Sequence, residues 1–63
     1  MTIKLFSRVE FVGAQHDELR AGDIGYIIED YGDGNYEVEF SNADGSTRAQ
    51  VVVNEKDLVP RAI

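Results

Sequence analysis

The chain has 63 residues, enough for one domain and no more, and at this size only about 60% of the unfolded surface is expected to be buried. Apolar residues make up 43% and charged residues 29%, the balance of a folded domain rather than a disordered segment. Twelve acidic against six basic residues leave a net charge of -6, which repels phosphate backbones and draws basic partners, and the lack of cysteine excludes disulfides and thiolate metal sites.

In chain order, short segments of alternating apolar and polar residues are separated by Gly13, Gly22, Gly25, Gly32, Gly34 and Gly45. This period of two is the mark of strands with one buried face. The first predicted strand is long, with Ile3, Leu5, Val9 and Phe11 on one parity and Lys4, Arg8 and Glu10 mostly on the other. Met1 to Val12 carries Lys4 and Arg8 and has no apolar run of signal-peptide length. No stretch approaches the ~20 apolar residues of a membrane-spanning helix, so a cytoplasmic location is expected.

Gly13 to Asp23 reads as a polar loop holding His16, Asp17 and Glu18. Gly25 to Tyr31 is the second strand, Tyr36 to Phe40 the third, and Gly32-Asp33-Gly34-Asn35 the hairpin turn between them. Asn42-Ala43-Asp44-Gly45 is a second hairpin turn, leading into a fourth strand from Thr47 to Val53. Asn54 caps a single helical or 3₁₀ turn over Glu55-Lys56-Asp57, and Leu58-Val59 forms a short last strand that Pro60 suits as an edge. Five short strands, a long first loop and a 3₁₀ turn before the last strand predict an all-β chain, an SH3-like barrel as a single domain over residues 1–63. Without cysteines such a barrel either packs well alone or self-associates as a homo-oligomer.

The register of the central hairpin stays open. A two- or four-residue loop places Tyr31 opposite Tyr36, Ile27 opposite Phe40 and Asp30 against Glu37. A three-residue loop places Ile28 opposite Val38, Tyr26 opposite Phe40 and Glu29 against Glu37. Both face Val38 and Phe40 inward and Glu37 and Glu39 to water, and both juxtapose like charges. The expected core is Val9, Phe11, Ile24, Val38, Phe40, Val51 and Leu58.

Leu19-Arg20-Ala21-Gly22-Asp23-Ile24-Gly25-Tyr26-Ile27-Ile28-Glu29, Tyr36-Glu37-Val38-Glu39-Phe40, Asp44-Gly45-Ser46-Thr47 and Asp57-Leu58 resemble a bacterial family of small stand-alone domains. That family carries only a domain-of-unknown-function label. The resemblance spans roughly residues 8–59 and implies an SH3-like barrel without supplying an activity. The chain departs from the family pattern at Tyr26, where a small hydroxyl residue is usual, and over Ala14 to His16, where a Leu-Pro pair is common. The spacing of Gly22 and Gly25 also resembles the KOW element of ribosomal and transcription proteins, which implies contact with RNA or the transcription and translation machinery.

Catalysis needs a nucleophile or a positioned acid–base pair. With one histidine and no cysteine, only carboxylates could serve. Glu37 and Glu39 lie on one strand face, about 6–7 Å apart by strand rise, but a flat face surrounds them with no cleft, so no enzyme is expected. His16-Asp17-Glu18 offers metal-capable atoms, yet adjacent residues rarely converge on one ion. In Asn42-Ala43-Asp44-Gly45, calcium-loop spacing would put Phe40 and Val51 at ligand positions, where neither can ligate, and in Asp30 to Asn35 the alternate positions are glycines. No cofactor or metal is expected.

Tyr26, Tyr31 and Tyr36 cluster around one hairpin beside acidic residues, the chemistry by which SH3 domains take proline-rich peptides carrying a basic residue. Tyrosine is equally an ordinary strand residue whose ring packs at the core rim. The expectation is a non-enzymatic protein-interaction module that docks a basic surface or peptide through Tyr31, Tyr36, Glu37 and Glu39, joined by Asp17 and Glu18. The six cations, Lys4, Arg8, Arg20, Arg48, Lys56 and Arg61, are scattered and form no basic stripe, so nucleic acid and membrane are not expected partners.

Overall fold

The clearest alternation in the sequence becomes an inner strand of a five-stranded antiparallel sheet. The computed structural model describes residues 3–15 and 17–61. Along them run β1 (Arg8–Phe11), β2 (Ile24–Asp30), β3 (Asn35–Ser41), β4 (Thr47–Asn54), a 3₁₀ turn η1 (Glu55–Asp57) and β5 (Leu58–Pro60). The spatial order is β4-β3-β2-β1-β5. The chain is all-β, with the long β1–β2 loop and the 3₁₀ turn before the last strand expected of an SH3-like barrel. Among the described residues no helix is long and apolar enough to cross a membrane.

Inside the sheet, Tyr36, Val38 and Phe40 of β3 alternate with half-buried Glu37 and Glu39. Opposite them Gly25 and Ile27 of β2 are buried, and Phe11 meets Phe40 edge to face at 6.5 Å between ring centroids. The core is Ile3, Val9, Phe11, Leu19, Ile27, Tyr36, Val38, Phe40, Val53 and Leu58. Ile24 is only half-buried, and Val51 packs against this core from a half-buried position.

The first strand is shorter than its pattern predicts. Ser7 N–H donates to the Lys4 carbonyl at 3.2 Å, and Phe6 takes a left-handed φ of 64°. This turn breaks the parity, so Ile3 is buried while Leu5 is 46% exposed.

The β2–β3 register combines an expected pairing with one that neither alternative contained. Glu29 opposes Glu37 next to the turn, as the three-residue loop requires. A bulge at Ile28 then shifts the ladder by one, so Ile27 opposes Val38, Tyr26 opposes Glu39 and Gly25 opposes Phe40. One extra residue on β2 turns Ile27 inward without moving β3. The turn places Gly32 and Gly34 at φ of 80° and 92°, conformations that L side chains resist.

The close of the chain follows its sequence signals. The Asn54 side chain accepts the Lys56 N–H at 3.0 Å, the expected cap, and also donates to Asn35 Oδ1 at 3.1 Å. The 3₁₀ turn is thereby tied to the start of β3, and Leu58 enters the core beside Phe11 on β1.

Candidate functional site

Glu37 and Glu39 project from the solvent side of β3 because the alternate positions are occupied by core residues. Register then decides their neighbours. Glu37 lies between Glu29 on β2 and Val52 on β4, and Glu39 between Tyr26 and Gln50. Arg8 of β1 continues the second row beyond Tyr26. The outer face thus carries three carboxylates flanked by two large exposed side chains, Tyr26 at 39% and Val52 at 54%.

Tyr31 stands at the end of this face, 51% exposed. Its Oη donates to Glu37 Oε1 at 2.6 Å. That bond, some desolvation and the charges of Glu37 and Glu29 raise the phenol above its ordinary pKa. The tyrosine in turn satisfies one oxygen of a carboxylate that faces a like charge, so the Glu29–Glu37 pairing is less costly than it looks in sequence. Glu39 is held similarly, accepting from Thr47 Oγ1 at 2.6 Å.

The remaining predicted site residues fall elsewhere. Tyr36 is 4% exposed and belongs to the core, not to the surface patch. It shares parity with Val38 and Phe40, and the register carries its ring inward between Asp30 and Val53. Asp17 and Glu18 are exposed in the long loop, Asp17 with a left-handed φ of 48°. The loop carbonyl of Glu18 accepts from the Arg48 guanidinium, which also pairs with Asp23 Oδ2 at 3.0 Å. That contact sits at the opening end of β4, whereas Tyr31 is beside its closing end, roughly 15 Å away by strand rise. The structure therefore groups Tyr31, Glu37 and Glu39 on the outer face, and leaves Asp17 and Glu18 in the loop at the end of β4 remote from Tyr31. His16 lies outside the described residues.

Glu29 opposite Glu37 is the pairing of the three-residue-loop register, whereas neither register set Tyr26 opposite Glu39. The position of Tyr26 depends on the bulge at Ile28, and nothing in the alternation of β2 announces where an extra residue sits. Among the described residues there is no enclosed pocket and no cluster of three or more metal-ligating side chains. What the face can do chemically is present negative charge and ordered phenol to a partner.

No curated protein and no solved structure matches the chain. The family described as "Domain of unknown function (DUF4926)" matches residues 5–60, nearly the whole length, and the chain belongs to that family.

Proposed function

We propose that the chain is a small, non-enzymatic protein-interaction module that docks a basic partner on the outer face of the β2–β3 hairpin. The observation that carries this reading is the Tyr31–Glu37 hydrogen bond within a face that gathers Glu29, Glu37 and Glu39. A phenol already fixed by its carboxylate offers contact area with little further ordering on binding, and carboxylates at its rim steer a cationic partner in and turn acidic ones away. Tyr26 and Val52 supply exposed apolar surface along the same face.

The test is the double reversal of Glu37 and Glu39 to lysine, assayed against the partner obtained by affinity purification and reconstituted from purified components. Expected is loss of the complex with an unchanged or raised melting temperature, since the reversal also removes the Glu29–Glu37 repulsion. Binding retained at unchanged affinity would refute the proposal.

A further inference from the structure

Strand β4 ends the sheet, eight residues long, with β3 as its only strand neighbour among the described residues. One pair past the Asn35–Asn54 register, Glu55 N–H donates to the Gly34 carbonyl at 2.8 Å. Bonded and non-bonded pairs alternate along an antiparallel ladder. Val53, Val51 and Ala49 therefore direct their main-chain groups to β3, and Gln50, Val52 and Asn54 direct theirs to the open edge. The side chains of Gln50 and Val52 are exposed on the outer face, opposite Glu39 and Glu37.

Edge strands are ordinarily blunted by charge, proline or brevity. The single charge within β4 is Arg48, at the irregular step between the Phe40–Ala49 and Ser41–Thr47 pairs, and its guanidinium is engaged by Asp23 and Glu18. Ala49 to Val53 carries no charge at all.

We propose, resting on the interaction-module reading above, that this edge takes an extended basic segment of the partner protein as an added strand. Its main chain bonds to Gln50 and Val52, and lysine or arginine at alternate positions reaches Glu39 and Glu37. An added strand lies about 5 Å from β4 and about 10 Å from β3. A basic side chain laid across Gln50 or Val52 spans that gap, its alkyl stem covering the exposed valine and its head meeting the carboxylate. Main-chain bonds supply affinity and the alternating side chains supply selectivity. A second copy of the chain fits less well, because it brings another net charge of -6 and sets uncharged Gln50 and Val52 against their own counterparts.

A synthetic peptide of alternating lysine and threonine, as long as β4, is titrated into the protein while amide exchange is followed residue by residue. Expected is slowing of about tenfold or more at the Gln50 and Val52 amides, with Val51 and Val53 little changed because they already bond to β3. Val52→Pro removes an N–H that β3 does not use, and should abolish peptide binding while the protein still melts cooperatively. If that variant does not fold, the exchange measurement on the unaltered chain decides alone. A peptide that perturbs Glu37 and Glu39 but leaves exchange at Gln50 and Val52 unchanged would overturn the added strand and leave the outer-face reading standing. Absence of peptide binding overturns it as well, and the Glu37/Glu39 reversal against the natural partner then decides separately on the module reading. Protection at the same two amides that grows with protein concentration, without peptide, assigns the edge to a second copy and overturns the proposal.

Discussion

Tyr31 shows how one hydrogen bond sets the character of a surface. The phenol is held neutral by its bond to Glu37, with desolvation and nearby carboxylates adding to the effect, so its folded pKa lies above the ordinary 10.0. A group whose pKa is raised by folding contributes stability below its unfolded pKa and loses it as pH climbs through the folded value. The Tyr31 contribution is therefore present at neutral pH and disappears in the alkaline range above 10. Glu37→Gln should bring the Tyr31 ionisation back toward its ordinary value, read from its ring resonances in an alkaline titration. An ionisation that does not move would place the cause elsewhere. The neighbouring tyrosine carries the opposite lesson. Tyr36 has the parity of Val38 and Phe40, so its burial was legible in the alternation of β3. The grouping of three tyrosines around one turn suggested a surface instead, and parity, not composition, decides which way a strand side chain points.

Alternation located the strands and their turns well, because β3 and β4 lie in an antiparallel sheet with one face on the core and one in water. It failed where the ladder is irregular. The bulge at Ile28 changes which residue opposes Glu39, and the turn at Leu5 and Phe6 ends the first strand's pattern where Phe6 and Ser7 invert its parity. Neither irregularity has a glycine or proline to announce it. Gly25 is the reverse case, where sequence marks a glycine and structure supplies its reason. A Cβ there would stand 2.8 Å from the Glu39 carbonyl oxygen, 2.8 Å from Val38 Cγ1 and 2.9 Å from Phe40 Cδ1. The carbonyl belongs to a strand and has little room to retreat. Gly25→Ala should destabilise the fold by about 1–3 kcal/mol, seen as a lower urea midpoint with an unchanged slope. An unchanged midpoint would mean that β2 and β3 can separate locally without cost.

At the scale of the molecule, a small core leaves little reserve. Phe40 is fully buried against Phe11, and Phe40→Ala should cost about 3–5 kcal/mol, enough to abolish a cooperative melt at this chain length. A melt within a few degrees of the unaltered protein would contradict the packing described. Val9, Phe11, Val38, Phe40 and Leu58 were legible from parity, but Ile24 and Val51 are only half-buried, and Ile27, Tyr36 and Val53 were not expected in the core. Nor were Ile3 and Leu19, which reach it from segments outside the regular strands. Leu19 arrives by way of the long loop, which Arg48 fastens to β4. Burial on its own would raise the Asp23 carboxyl, but the Arg20 N–H and the Arg48 guanidinium outweigh it and hold it below its ordinary 3.8. That contribution is present above pH 3.8 and fades as pH falls. The guanidinium links positions 30 residues apart, so the loop has no private freedom to swing outward. Whatever loosens it, acid or added salt, also frays the opening end of β4, and two segments remote in the chain share a single local unfolding event.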